Sequence, residues 1–291
     1  MMTLKDYTLM ISGKARLAGV MGWPVSHSLS PRLHNHWMRE AGTDGAYVPL
    51  PVRPDDLADA VRLLPRLGFR GFNVTIPHKT AMFELVDAHD PAASRMRAVN
   101  TVLVQDDGSL LGCNTDAYGF MANLRNCAKD WDASRGPAVI IGTGGAASAV
   151  AAGLVEAGIG GLRLVNRTRA RAEALGRQIA AWGNVAIEVV DWERRGEALD
   201  GAGICVQCSS LGMHGQPPLE IDLSALPVDA PVADIVYVPL VTGILADARR
   251  RGHPVVDGLG MLIHQAVPGF RHWGGAEPRV DAAVRTLMLA T

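Results

Sequence analysis

The sequence predicts an α/β protein of two domains, each built on a mostly parallel sheet. Three observations carry that expectation. The chain has 291 residues, more than most single domains of roughly 100 to 200 residues. Short apolar runs alternate with amphipathic helical patterns through most of its length, which is the rhythm of βαβ units. That rhythm then starts afresh near Gly136-Pro137, after a hairpin signal.

In the first stretch, Leu17–Met21 reads as a strand and Ser30–Ala41 as an amphipathic helix opened by Ser30 and Pro31, with Ser30 as the natural N-cap. Gly45–Leu50 follows as a strand, Asp55–Leu64 as a helix behind Pro54, and Gly71–Thr75 as another strand. Val99–Gln105 and Leu110–Cys113, joined by Asp106-Asp107-Gly108, read as a hairpin. The second stretch opens with the apolar strand in Pro137–Gly142, which runs straight into a small-residue helix. Strand Leu162–Val165, helix Ala170–Trp182 and strands Ala186–Val190, Ile204–Gln207 and Val232–Val236 come next. Helix Leu240–Arg251 and strand Pro254–Val256 complete a doubly wound sheet of six strands. Residues 257–291 are too few for a third domain, so they are expected to return as helices to the first. The expected division is therefore 1–118 with 257–291, and 119–256.

Charge and composition exclude several classes of function. Lys and Arg number 28 against 29 Asp and Glu, so no bulk attraction to nucleic acid or an anionic membrane is expected. With 5 Phe, 6 Trp and 4 Tyr, stacking platforms for single strands are scarce. No apolar run reaches the roughly 18 residues of a membrane span, and the first ten residues lack a signal-peptide core. A cytoplasmic protein is expected. The four cysteines are too scattered for a disulfide framework. Cys205 and Cys208 have C-x-x-C spacing, but they fall at a buried strand whose residues three apart point to opposite faces, and no second pair completes a zinc shell. No metal site is expected. His34 and His36, two apart on one helix, are likewise read as packing and surface residues.

Gly142-Thr143-Gly144-Gly145-Ala146-Ala147 fits G-x-G-x-x-A between a strand and a helix. Gly142 permits the tight turn, Gly144 lets a pyrophosphate approach, Ala147 allows close helix packing, and free N–H groups at the helix start face the phosphates. Thr143, Gly145 and Ala146 complete the predicted cradle. At the end of the next strand, an NAD-binding protein needs a carboxylate for the ribose 2′-hydroxyl. Asn166-Arg167-Thr168-Arg169-Ala170-Arg171 has none. Its guanidinium groups suit a 2′-phosphate, and NADP is the expected cofactor.

Three polar clusters end strands of the first domain: Ser26 to Pro31, Asn73 to Lys79 and Asn114 to Asp116. The carboxyl ends of strands are the edge at which α/β sheets bind ligands. Hydroxyls, amides, one Lys and one Asp suit a small polyhydroxylated acid.

Taken in order, these motifs resemble the shikimate dehydrogenase family. The resemblance runs through S-x-S-P at 28–31, N-V-T-x-P-x-K at 73–79, A-V-N-T at 98–101, N-T-D at 114–116 and G-x-G-G-A at 142–146. It continues through N-R-T at 166–168, Tyr237-x-Pro239 and D-G-L-G-M-L at 257–262 with Gln265. It implies reversible NADPH-dependent reduction of 3-dehydroshikimate to shikimate in aromatic amino-acid biosynthesis. It also implies that 1–118 with 257–291 form a substrate-binding, catalytic α/β domain and 119–256 a Rossmann NADP-binding domain.

Residue by residue, the resemblance makes Lys79 and Asp116 the catalytic pair. Ser28 and Ser30, assisted by Tyr237, would hold the substrate carboxylate. Asn73, Thr75, Asn100 and Gln265 would complete the substrate contacts, with Asp116 also on a ring hydroxyl. Gly142 to Ala146, Asn166, Arg167, Thr168 and Arg171 would hold the cofactor, with Ile235 and Gly258 on the nicotinamide side. The chain departs from the family pattern at Arg97, Ala117, Thr143, Ser148 and Gln207. A quinate/shikimate dehydrogenase and a non-catalytic ligand sensor are the alternatives, the second opposed by retention of Lys79 with Asp116. The expected partner is the small-molecule substrate, with a homodimer left open beside a monomer.

Overall fold

The computed structural model describes residues 11–290, so the leader reading, which concerned the first ten residues, lies outside the described part. The chain divides into two units, Met1–Thr115 with Ala266–Thr291, and Asp116–Gln265.

The first unit runs β1 (Arg16–Gly22), α1 (Ser30–Glu40), β2 (Gly45–Pro51), α2 (Leu57–Arg66) and β3 (Phe69–Val74). It continues through α3 (Lys79–Phe83), β4 (Ala88–His89), α4 (Pro91–Met96), β5 (Thr101–Val104) and β6 (Leu110–Cys113). The sheet order is β2-β1-β3-β5-β6-β4. β1 is parallel to β2 and β3, β4 is parallel to β6, and β5 is antiparallel to β3 and β6. The predicted hairpin is thus β5 and β6, closed by Gln105 N–H donating to Ser109 O at 2.8 Å. Two details differ from the sequence reading. Leu29, not Ser30, occupies the N-cap of α1, and it is the Ser28 hydroxyl that accepts a backbone N–H there, from Ser30 at 3.3 Å. Pro54–Asp56 forms a 3₁₀ turn before α2 rather than its first residues. Elements α3, β4 and α4 have six residues or fewer, too short for a periodicity to show.

The second unit runs α5 (Asp116–Cys127), β7 (Ala138–Ile141), α6 (Gly145–Glu156), β8 (Gly161–Val165), α7 (Arg169–Ala180) and β9 (Ala186–Val190). β10 (Ile204–Gln207), β11 (Val232–Asp234), α8 (Gly243–Arg251) and β12 (Val255–Val256) follow. The sheet order is β12-β11-β10-β7-β8-β9 and every pair is parallel, the doubly wound order with its switch between β7 and β10. Both faces are covered. Ile204, Val206 and Cys208 belong to one core layer and Cys205 to the other, as alternation along a strand requires. Burial pushes the Cys205 thiol up to about 12, so it stays protonated and inert.

Two further helices close the chain, α9 (Gly258–Gly274) and α10 (Ala282–Leu289). The unit boundary falls at Gln265/Ala266, inside α9. Beyond it, Phe270 and Trp273 are fully buried among His34, Trp37 and Tyr47. Trp37 Nε1 donates to Arg279 O at 2.8 Å. His34 stacks on the Tyr47 ring at 4.0 Å, and burial pushes its imidazole down to about 3, so it is neutral core. His36 pairs with Glu40 at 3.5 Å one turn on. Among the described residues no helix is long and apolar enough to cross a membrane.

Candidate active site

In the first unit, the predicted substrate residues gather where β1, β3 and β6 end and the antiparallel β5 begins. Thr75 N–H donates to Met21 O at 2.8 Å and Val74 N–H to Asn100 O at 2.7 Å, which locks the three strand ends together. Asn73 is buried. Its Oδ1 accepts from the Tyr47 hydroxyl at 2.6 Å, and its Nδ2 donates to Thr101 Oγ1 at 3.0 Å and Asn100 O at 3.3 Å. With its amide so occupied, Asn73 is a post behind the rim. Asn100 Oδ1 accepts from Thr115 N–H at 2.9 Å, Thr115 Oγ1 at 3.1 Å and Thr101 Oγ1 at 3.0 Å. This fixes the chain end that leads directly into Asp116, the first residue of α5.

Lys79 is the first residue of α3 and is half-buried. Its backbone carbonyl accepts from Val99 N–H at 2.9 Å, so the lysine and Asn100 belong to one hydrogen-bonded frame. Ser30 is buried and Ser28 half-buried, and beside them Asn35 Nδ2 donates to Pro31 O at 2.7 Å and to Tyr47 O at 2.8 Å. The ladder Pro31–Asn35–Tyr47–Asn73–Asn100 therefore connects the serine turn to the frame around Lys79. Tyr47 is not singled out by the sequence, where an aromatic in an apolar strand carries no distinguishing signal.

In the second unit, Gly142 has φ +98°, and a Cβ there would meet Ser209 N at 2.8 Å, so only glycine fits the turn. At Gly144 and Gly145 the reverse holds. Both are exposed, and a Cβ would meet nothing within 4 Å. Open space above the N-terminus of a twelve-residue helix, α6, is what a pyrophosphate requires. Gln207 is fully buried. Its Oε1 accepts from Ser209 N–H at 2.9 Å and its Nε2 donates to Leu211 O at 2.8 Å, shaping the loop against Gly142. Asn166 donates to Thr168 O at 2.9 Å. Arg167, Thr168 and Arg171 are exposed where α7 begins, and among the described residues Arg167 and Arg171 pair with no carboxylate.

The loop after β11 carries Ile235 and Tyr237, and a residue not predicted, Asp234, closes it. Its carboxylate accepts from Val236 N–H at 2.9 Å and from the Thr242 hydroxyl at 2.6 Å. The strand therefore ends at Asp234 instead of Val236, and the next helix starts at Gly243 instead of Leu240. An Asp ending an apolar strand was the signal available in V-A-D-I-V-Y. Gly258 presses on the same loop, since a Cβ there would overlap the Ile235 carbonyl. Burial raises the Tyr237 phenol. Gln265 donates to Leu262 O at 3.1 Å.

Burial pushes Asp234 up to about 6, against the pull of its two hydrogen bonds. Its folded pKa is thus above its unfolded one, so its contribution to stability is full below about pH 4 and is lost as pH rises through about 6. The stability of the wild type relative to Asp234→Asn is therefore expected to fall by up to about 3 kcal/mol between pH 4 and 7, at about 1.4 kcal/mol per unit. Urea unfolding at a series of pH values measures it. A flat difference would place the carboxylate in water.

One chain thus holds a glycine turn at the first strand of a doubly wound sheet, a basic second turn, and a polar strand-end rim with a lysine on an α/β unit. That combination defines a dinucleotide-dependent oxidoreductase of small polar substrates. The sequence profile of the shikimate dehydrogenase substrate binding domain matches residues 20–102. The shikimate dehydrogenase (NADP(+)) of Paramagnetospirillum magneticum is 54% identical over 280 residues, covering 96% of this chain and 100% of that protein. Among solved structures, shikimate 5-dehydrogenase from Thermus thermophilus in complex with NADP(H) and shikimate has a TM-score of 0.79 at 34% identity, covering 94% of this chain and 97% of that one. Quinate dehydrogenase from Corynebacterium glutamicum in complex with NAD has a TM-score of 0.88 at 32% identity, covering 95% and 99%. The chain belongs to the shikimate dehydrogenase family.

Proposed function

We infer that the chain catalyses the reversible NADPH-dependent reduction of 3-dehydroshikimate to shikimate, a step of the shikimate pathway to aromatic amino acids. The observation that carries this is the identity of 54% across 96% of the chain with a shikimate dehydrogenase (NADP(+)). The space over Gly144 and Gly145 fits that cofactor, as do Arg167 and Arg171, which pair with no carboxylate among the described residues.

In this reading the first unit binds substrate and the second the cofactor. The bound nicotinamide supplies the hydride. Ser28 and Ser30, with Tyr237, hold the substrate carboxylate. Thr75, Asn100, Asp116 and Gln265 take its ring hydroxyls, with Asn73 holding Asn100 from behind. Lys79 places an ammonium at the ketone oxygen, stabilises the charge that gathers there and delivers the proton. In the other direction its neutral amine takes the hydroxyl proton, and Asp116 orients lysine and hydroxyl. Gly142, Thr143, Gly144, Gly145 and Ala146 cradle the pyrophosphate, Arg167, Thr168 and Arg171 the 2′-phosphate with Asn166 shaping the turn, and Ile235 and Gly258 line the nicotinamide side. The same reading takes the chain to work in the cytoplasm, without nucleic acid, as a homodimer or a monomer.

A two-by-two assay tests the function: reduction of NADP and of NAD followed by absorbance, with shikimate and with quinate. Shikimate with NADP is expected to give the largest kcat/KM, by at least about tenfold, the order of one charge-assisted contact to the 2′-phosphate. Faster turnover of quinate with NAD would assign the chain to quinate oxidation, and no turnover with any pair would favour a ligand sensor.

A further inference from the structure

The ends of β8 and β9 bring a carboxylate to the place where this family of sheets distinguishes its cofactors. The two strands run parallel with Val165 opposite Val190, so Asn166 and Asp191 leave the sheet side by side. A carboxylate at this edge can accept the ribose 2′-hydroxyl of NAD and repels a 2′-phosphate. Asn166 removes it from the second strand, but Asp191 returns one from the third, and Glu173 adds another on α7. Arg169 holds both: its Nη1 lies 2.6 Å from Asp191 Oδ1 and its Nε 3.0 Å from Glu173 Oε1. The three side chains are about half exposed, at 51%, 53% and 43%. Ion pairs that wet contribute little to folding, so the arrangement needs another reason. Arg167 and Arg171, flanking Arg169 in sequence, have no such partners among the described residues.

We propose that Arg169 is a specificity-determining positioning residue, which selects NADP over NAD by sequestering Asp191 and Glu173 rather than by touching the phosphate. It rests on the cofactor assignment above and deepens it. Without Arg169 the edge carries two unscreened carboxylates at the start of α7, and Asp191 becomes available to a ribose hydroxyl. The two changes act in opposite directions on the two cofactors.

Calorimetric titration of the full chain with NADP+ and with NAD+ tests this by binding alone. Arg169→Ala is expected to weaken NADP+ about tenfold, as an added pair of charges near a phosphate would, and to leave NAD+ unchanged or tighter. In the Arg169→Ala background, Asp191→Asn with Glu173→Gln is expected to restore NADP+ to within about threefold of the wild type. Failure of that restoration would overturn the proposal, since Arg169 would then be acting on the phosphate directly. An unchanged NADP+/NAD+ ratio in Arg169→Ala would overturn it as well. A wild-type chain with no preference for NADP+ is a different result, because it removes the cofactor assignment itself and the proposal with it.

Discussion

Lys79→Ala is expected to lower kcat by about 10² to 10³-fold while KM for shikimate moves by less than about fivefold. The ketone oxygen gains a full negative charge as hydride arrives, and an ammonium there offers both a charge and a proton. Those interactions strengthen as the reaction proceeds, so their loss falls on kcat rather than on binding. A hundredfold is about 2.7 kcal/mol of transition-state stabilisation, in the range of a single positioned acid. The position suits that role, because Lys79 begins α3 with its carbonyl pinned by Val99 N–H at 2.9 Å, and Val99 leads directly into Asn100. Lys79→Arg separates the two contributions. Arginine keeps the charge but does not give up its proton near neutral pH, so it is expected to preserve KM and recover little of kcat. Near-normal turnover in either variant would remove Lys79 from proton transfer.

Much of the fold is legible in the sequence because the second unit is made of the strongest local signals. Strands such as Ala138–Ile141 and Ile204–Gln207 are wholly buried and read as unbroken apolar runs. The glycine turn and the arginines of the next turn act through backbone freedom and charge, which residue identity reveals directly. What escapes is short or relational. Helix α5 is the exception, since Ala117, Phe120, Met121 and Leu124 are buried along one face at i, i+3, i+4 and i+7; its periodicity is masked by the polar N-T-D motif, which reads as a loop. Ser30 looks like a cap because Pro31 follows it, yet the capping oxygen comes from Ser28 two residues earlier. The supporting residues Tyr47, Asp234 and Thr242 have roles that exist only through partners 8 to 26 residues away in sequence. No local pattern announces such a partner.

Gly119→Ala is expected to destabilise the protein by about 2 kcal/mol, although alanine is the better helix former. Gly119 lies within α5 where it crosses the start of α9. A Cβ there would meet Gln265 Cβ at 2.6 Å, Gln265 N at 2.8 Å and Met261 O at 2.8 Å. Two of those atoms are backbone and cannot swing aside, so relief requires the helices to separate. Nearby, Asn123 Nδ2 donates to Asp257 O at 2.7 Å and a Cβ on Gly260 would overlap the Asn123 amide. The two helices are therefore held at this spacing at more than one point. Overpacking of this kind costs up to about 3 kcal/mol, and the gain in helix propensity returns about 1. Gly153→Ala in α6 is the matched control. Its Cβ would meet Met121 Cγ at 2.7 Å and Sδ at 3.3 Å, a side chain with three rotatable bonds that can move, and one backbone atom, Ala117 O, only at 3.3 Å, so a change within about 1 kcal/mol is expected. Since the crowded residue is Gln265, a proposed substrate contact, Gly119→Ala is also expected to raise KM for shikimate, whereas Gly153→Ala leaves it unchanged. Urea unfolding and steady-state kinetics on the two variants measure both effects. Equal stability losses in the two would mean that helix spacing is not what glycine protects at position 119.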